Sequence, residues 1–432
     1  VKELSQITAC FIDHQGLYLP LAIKLAESYS RIIYTDPCES AFPKVNQSVI
    51  GDGFDKIDRV ESFWPHKEDI DIFIFPDSQG GPLQWELKSQ GFPVWGSFSA
   101  ETIEQSREKF HKLLEQVGLQ VPKFEPVVGI ANLRKFLRDK EDKYIKISKY
   151  RGTQETMHWR SYADDEVWLD CMANKLGGVK DLMRFLVFDS IDTDLEIGAD
   201  TYRSGGKIPT SMLDGYEWKD KGYFASFKPI NEMPEQTINV LESFEPILEE
   251  HGHNNFWSME IRVKDDDFWF IDATPRGPLP GTGSQMEIYG NIAEIIAAGA
   301  HGEHVDPEPE GYFAAECILT MKSEKHSWSS IKVPKRLEQW MKLAGCCKIG
   351  DRIWFPPDGH EGDEIGWLVA IGDKPIDTIE NMLKMAKELP DGVSANTNSL
   401  VDLLKEIRSA EEKGIEFTKE EVPEPEVVIK DE

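Results

Sequence analysis

Short apolar runs alternate with helical periodicity through the first hundred residues. The runs beginning at Ile7, Arg31, Ile70 and Phe92 read as strands, and 19–28 reads as an amphipathic helix. Strands alternating with helices imply a parallel sheet covered on both faces. Open sheets of this kind bind ligands beyond the carboxyl ends of their strands. Those ends carry Asp13-His14-Gln15-Gly16 and Asp77-Ser78-Gln79-Gly80-Gly81. Either loop can hold a substrate, although Asp and Gly at strand ends also serve simply as turn formers.

Farther along, 99–118 reads as a helix closed by Gly118, and 143–148 as an apolar strand interrupted by Lys146. A strand from Phe185 ends near Asp189, with Glu196 downstream and a Gly205-Gly206 turn after it. Helices are predicted at about 235–251, 291–300 and 378–389, and strands from Phe313 and Ile365. Between them Met259, Ile261 and Val263 alternate with Glu260, Arg262 and Lys264, the period of a half-buried strand. Asp265 to Asp267 reads as a turn and Phe268 to Ala273 as the returning strand. Folded symmetrically about Asp266, the hairpin sets Glu260 opposite Asp272, with Thr274 and Arg276 continuing that face. Facing like charges destabilise a sheet, and a divalent cation removes the penalty. Two solvated acids on an exposed face are the alternative. Lys146 leaves two readings as well: a phosphate contact, or a strand-edge lysine reaching solvent.

The 432 residues suffice for two or three domains, and 40% apolar content with 12 Trp and 22 Phe describes a globular chain. The net charge of −29 argues against unassisted binding to a nucleic-acid backbone. No run reaches the roughly 20 apolar residues of a membrane span, and no secretory pattern opens the sequence. Six cysteines without zinc or CxxC spacing are expected to be reduced thiols of a cytoplasmic protein. Residues 410–432, rich in Glu and Lys, are expected to form a solvated, mobile tail.

The order of these features resembles the ATP-grasp superfamily: a basic helix, a buried-strand lysine, a basic loop, a strand with a downstream acid, and a two-acid hairpin ending in Arg. Within it the chain is most similar to phosphoribosylamine–glycine ligase. The likeness is carried by the run from Ile70 through the Ser106-Arg107-Glu108-Lys109 helix and by the segment from Ile365 to Leu389, and it spans most of the chain up to about Leu404. It implies an α/β architecture in four parts: a parallel-sheet N-terminal domain over 1–98, a two-lobed α+β nucleotide-binding domain over 99–305, a small C-terminal α/β domain over 306–408, and the tail at 409–432. It further implies that Arg107 or Lys109 contacts ATP phosphates and that Lys146 binds the α- or β-phosphate. Lys149, Arg151, Gly152 and Thr153 would form the loop over the triphosphate. Asp189 would lie beside adenine and Glu196 would hold the ribose. Lys219 and Lys221 would be further phosphate contacts, or ordinary surface lysines. Glu260, Asp272 and Thr274 would ligate Mg²⁺, with Mn²⁺ as an alternative, and Arg276 would face an acylphosphate.

Several positions depart from that family. Thr274 stands where it has Asn, and Asp272 where it has Glu. Its Gly-Gly-Arg-Glu-His motif is replaced by the segment at Asp13 and His14, and its loop glycines are reduced to Gly152. The resemblance therefore implies retained nucleotide machinery and a changed substrate end, at which Asp13, His14, Asp77 and Arg276 are the candidate substrate residues. The expected partners are a small-molecule acid and an amine, with no membrane. The expected activity is ATP-dependent amide formation, joining an amino acid such as glycine to a non-standard amine, which could be that of a modified nucleotide or base. The alternatives are the purine-pathway ligase itself and an ATP-binding protein without turnover.

Overall fold

The computed structural model describes residues 2–14, 16–35, 49–148, 156–191, 193, 195–218, 221–322, 327–356 and 364–429. The chain divides into two compact units. The first holds Val1–Ala100, Ile197–Met259 and Thr274–Glu432, and the second Glu101–Glu196 and Glu260–Ala273. The expected triphosphate-loop residues Lys149, Arg151, Gly152 and Thr153, and also Lys219, lie outside the described residues.

The first unit opens with β1 (Thr8–Ile12), α1 (Leu19–Ser28), β2 (Arg31–Thr35), β3 (Ile57–Arg59), β4 (Ile72–Ile74), α2 (Gly81–Ser89) and β5 (Val94–Trp95). The strands pair in parallel, as expected, in the order β3-β2-β1-β4-β5. Cys10, Ile12, Ile33, Phe73 and Val94 join a buried cluster, which is why these runs read as nearly continuous apolar segments. The order reverses between β1 and β4, so their carboxyl ends flank a topological switch point. Ligands of open α/β sheets sit at such points.

The second unit contains α3 (Glu101–Gln105), α4 (Arg107–Gln116), β6 (Phe124–Val128), α5 (Ile130–Leu137), β7 (Lys143–Ile147), β8 (Thr156–Trp159), α6 (Tyr162–Leu176) and β9 (Arg184–Asp189). Its antiparallel sheet runs β6-β9-β7-β8. Leu133, Leu137, Ile145, Ile147, Leu169 and Phe185 close a core between that sheet and α5 and α6. The helix expected at 99–118 is broken: Ser106 is extended, with φ −133° and ψ 92°, and α4 starts at the next residue.

The chain continues through β10 (Leu195–Tyr202), β11 (Ser211–Trp218), β12 (Gly222–Pro229), α7 (Glu235–Glu250), and the hairpin β13 (Phe256–Lys264) and β14 (Asp267–Thr274). It ends with α8 (Thr282–Ile288), α9 (Ile292–Ala300), β15 (Phe313–Met321), β16 (Ser329–Ile331), β17 (Met341–Leu343), β18 (Cys347–Ile349), β19 (Arg352–Phe355), β20 (Glu364–Gly372), α10 (Pro375–Ala386), β21 (Val393–Ala395), α11 (Ser399–Glu412) and α12 (Glu426–Ile429). In the first unit β10, β11, β12, β15, β20 and β17 neighbour one another in that order. The unit boundaries at 196/197 and 259/260 fall inside β10 and β13.

The acidic C-terminal stretch is not a solvated tail. Ile415, Phe417, Val422 and Val428 are buried, and Lys228 donates to the carbonyls of Glu416 and Phe417 at 3.0 and 3.1 Å. Glutamate-rich composition masks these widely spaced apolar anchors. The five described cysteines are free thiols, consistent with the reduced state expected of them. Among the described residues, no helix is long and apolar enough to cross a membrane.

One buried group makes stability depend on pH. Asp200 is enclosed in the first unit; burial raises its pKa to about 6, against hydrogen bonds from Tyr223 and Ser258. A carboxyl group whose folded pKa is raised stabilises the fold below its unfolded value near 3.8, and that stabilisation is lost as pH rises through about 6. Denaturant midpoints should therefore rise on acidification from pH 7 to 5, with Asp200 contributing on the order of 1–3 kcal/mol. Asp200→Asn should flatten the profile, and an unaltered one would refute the assignment.

Candidate functional site

In the second unit, α4 buries Arg107, Phe110, His111 and Leu114, the i, i+3, i+4, i+7 stripe of an amphipathic helix. Phe110 meets Phe270 of β14 edge-on, ring centroids 5.1 Å apart. Phe270 and Asp272 share a strand face and Arg107 lies one turn from Phe110, so the aromatic contact delivers a guanidinium to a carboxylate. Arg107 Nη1 donates to Asp272 Oδ1, and Lys146 Nζ lies 3.7 Å from Oδ2. Lys146 comes from β7, in register with Leu186 of β9 and Thr156 of β8. Two cations from separate elements thus converge on one carboxylate. The strand-edge reading of Lys146 is set aside, because its amine turns inward to Asp272. Lys109 does not join them: it is exposed, on the far side of α4 from Arg107.

His111 supports this cluster and carried no signal of its own in the sequence. Its Nδ1 donates to the Arg107 carbonyl at 2.5 Å, and its ring packs against Phe124 and Phe188. Burial pushes its pKa down to about 4, with Lys146 and Arg107 adding to the fall, so it is neutral at pH 7.

The hairpin alternates as expected: Trp257, Met259, Ile261 and Val263 are buried, while Glu260, Arg262 and Lys264 are partly exposed. Its turn is Asp265-Asp266, with Asp265 at φ 52°, and β14 begins at Asp267. The turn is therefore centred half a residue before the expected symmetry point. The pairing of Glu260 with Asp272 does not follow from it, and the evidence for Asp272 is its contacts with Arg107 and Lys146. Thr274 ends β14. Glu196 accepts from Arg262 Nε at 3.0 Å, and Arg262 also reaches the Thr193 carbonyl at 3.3 Å. Asp189 ends β9 opposite Lys143, which donates to it at 2.9 Å and, with Lys123, holds its pKa low. Among the described residues no group of three or more His, Cys, Asp or Glu side chains is gathered to hold a metal ion; Glu260 and Asp272 are each hard oxygen donors of the kind that Mg²⁺ or Mn²⁺ takes together with phosphate oxygens.

In the first unit, the loops after β1 and β4 meet at the switch point. Asp13 is buried there: Oδ1 accepts from the Gly16 amide at 3.0 Å, and Oδ2 from the Tyr18 amide at 2.9 Å and the Tyr34 hydroxyl at 2.7 Å. Both oxygens accept from the chain's own donors, so Asp13 fixes the shape of its loop. His14 is buried as well, and a Cβ built at Gly80 would lie 3.8 Å from its Cε1, placing it beside the second loop. Arg276 Nη1 donates to the Tyr18 hydroxyl at 3.1 Å and the Gly277 carbonyl at 2.8 Å, and its Nε is 3.6 Å from Asp77 Oδ1. Asp77 accepts from the Ser78 amide and from Gln79 Nε2. The switch point therefore gathers Arg276, Asp77, His14 and Tyr18, of which Tyr18 was not anticipated. Lys221 lies over the Trp218 ring, 5.9 Å from its centroid, an ordinary surface setting.

No protein-family model matches the sequence, and no curated protein matches it. Solved structures do. Phosphoribosylamine–glycine ligase of Thermotoga maritima aligns over 90% of this chain and 99% of its own, with TM-score 0.66 and 14% identity. The biotin carboxylase domain of Hydrogenobacter thermophilus 2-oxoglutarate carboxylase, determined with MgADP, ADP and bicarbonate, aligns over 97% of each chain, with TM-score 0.64 and 10% identity. L-amino acid ligase of Bacillus licheniformis aligns over 91% of this chain and 99% of its own, with TM-score 0.56 and 13% identity. With its parallel N-terminal sheet and antiparallel sheets, the chain has the α/β ATP-grasp fold.

Proposed function

We propose that the protein is an ATP-dependent carbon–nitrogen ligase that joins an amino acid such as glycine to an amine other than phosphoribosylamine, for which the amine of a modified nucleotide or base is the candidate. The observation that carries this reading is the convergence of Arg107 and Lys146 on Asp272. Cations held this way are poised to exchange a carboxylate for phosphate oxygens. The ligases that share the fold support the reaction class.

In the proposed reaction a substrate carboxylate oxygen attacks the γ-phosphorus of ATP. The bridging P–O bond breaks, and ADP leaves with its electron pair. The amine nitrogen then attacks the acylphosphate carbon, the C–O bond to phosphate breaks, and the ammonium proton is released to solvent. Arg107 and Lys146 orient the triphosphate and spread the charge that develops on the transferring group. Glu260 and Asp272 would hold Mg²⁺, with Thr274 as a weaker oxygen donor; when bound, the ion neutralises phosphate charge. Glu196 would engage the ribose and Asp189 the adenine side. Arg276, braced by Asp77 and Tyr18, would meet the acyl end. Asp13 sets the loop that positions His14.

The test is ADP and phosphate release from Mg-ATP across a panel of amino acids, with and without amine acceptors. Release that requires one acid and rises with one amine is the expected result. Phosphoribosylamine as the preferred amine would instead identify the purine-pathway ligase. ATP binding with no release under any pairing would favour a protein without turnover.

A further inference from the structure

Tyr18, at the end of the loop after β1 in the first unit, is 2% exposed. Its ring lies against bare backbone, for a Cβ at Gly277 would stand 2.8 Å from its Cε1. The hydroxyl donates to the Gly277 carbonyl at 2.7 Å and accepts from Arg276 Nη1 at 3.1 Å. A phenol has one proton, a carbonyl can only accept and a guanidinium can only donate. The two partners therefore fix the direction of the hydroxyl, with its proton toward Gly277 and a lone pair toward Arg276. Nη1 also donates to the Gly277 carbonyl at 2.8 Å, so both of its N–H groups are engaged within this triangle. Asp77 Oδ1, 3.6 Å from Nε, gives a second point of attachment. A guanidinium is rigid and planar, so attachment at Nη1 and Nε sets its plane.

The backbone that carries both residues is itself tied down. Asp13 accepts from the amides of Gly16 and Tyr18, and the Gly16 carbonyl accepts from the Gly345 amide at 2.9 Å. The Gly277 amide donates to the Pro76 carbonyl at 3.0 Å, and the Pro275 carbonyl accepts from the Ser97 hydroxyl. Both ends of the Tyr18–Arg276 contact are thus held without any ligand, the condition under which a donor acts with no reorganisation during reaction. The Arg276 side chain is 17% exposed, so contact with a ligand falls to it, and the more deeply buried Tyr18 acts through it.

We propose that Tyr18 is a positioning residue for the acyl end of the reaction: its hydroxyl sets the plane in which the Arg276 guanidinium meets the acylphosphate. This inference rests on the role proposed above for Arg276. Removing the hydroxyl leaves one Nη1 proton without its acceptor, and the guanidinium turns to satisfy it.

Crystal structures of the wild type and of Tyr18→Phe, together with a double-mutant cycle on ligand binding, test the proposal. Phe keeps the ring against Gly277 and removes only the hydroxyl. The probe is phosphonoacetate, a carboxylate and a phosphonate joined by one methylene as a stable stand-in for an acylphosphate, titrated into the full chain with Mg-ADP present. Tyr18→Phe is expected to turn the Arg276 guanidinium from its wild-type plane and to weaken the probe by about tenfold, the size of a lost charged hydrogen bond. Arg276→Gln should weaken it at least as much. The double variant should bind no worse than Arg276→Gln alone, because Tyr18 acts only through the arginine. An undisplaced Arg276 in the Tyr18→Phe crystal, or losses that add in the double variant, would overturn the proposal. A displaced Arg276 with no effect of Arg276→Gln on the probe would uphold the coupling of Tyr18 to Arg276 and instead sink the acyl-end role of the arginine.

Discussion

Asp272→Asn is expected to lower Mg-dependent ADP release by about two to three orders of magnitude, the scale of losing one group that stabilises transition-state charge. The variant should also show a change of opposite sign. In the wild-type protein the Asp272 carboxylate holds Arg107 and Lys146, the two cations assigned to phosphate. Asn keeps the shape and removes the charge. Nucleotide measured without metal should therefore bind the variant more tightly than the wild type, because phosphate no longer competes with a carboxylate for those cations. With Mg²⁺ the order should reverse, since the ion has lost a charged ligand. Binding titrations with ADP, run with Mg²⁺ and with chelator, read both effects. Weaker binding in both conditions would make Asp272 a structural anchor for Arg107 and remove it from the metal assignment.

Lys228→Met is expected to destabilise the protein by about 3–5 kcal/mol, the usual result of stripping a buried ion of its partner. Lys228 Nζ lies 2.5 Å from Asp214, whose side chain is fully buried. Burial already raises the Asp214 pKa to about 6, and Lys228 opposes that rise. Without the lysine Asp214 should protonate more readily. A carboxyl group with a raised folded pKa favours the fold at low pH, so the destabilisation should shrink from pH 7 to pH 5. Asp214→Leu combined with Lys228→Met should recover much of the loss, because an apolar pair leaves no orphaned charge. Denaturant midpoints at the two pH values decide the matter, and an equal loss at both would assign the effect to the Glu416 and Phe417 carbonyls that Lys228 also binds.

Elements long enough to repeat their period were legible in the sequence. The strand at Phe313 and the helix at 235–250 stand where the apolar spacing put them. Three-residue β3 was not legible, since Ile57-Asp58-Arg59 carries one apolar position and no alternation. The break at Ser106 was equally hidden, for nothing in the run from Glu101 to Gln116 disfavours a continuous helix. That break matters to the site, because it begins α4 at Arg107. Site residues announced themselves where chemistry conflicted with pattern, as with Lys146 inside an apolar strand. The loop-shaping contacts of Asp13 were hidden for a three-dimensional reason: it accepts from Tyr34 on a neighbouring strand as well as from amides of its own loop. The tail failed as a compositional reading, because one fully buried Phe417 outweighs many solvated glutamates.

The second unit is built from two stretches of chain, and the residues proposed to handle nucleotide are shared between them. Arg107 and Lys146 lie in the earlier stretch, while Asp272 arrives in the later one, 165 positions after Arg107. On a ribosome adding about 5–20 residues per second, that separation is a wait of roughly ten to thirty seconds. For the last 126 of those positions (272 − 146), both cations have been made and their carboxylate has not.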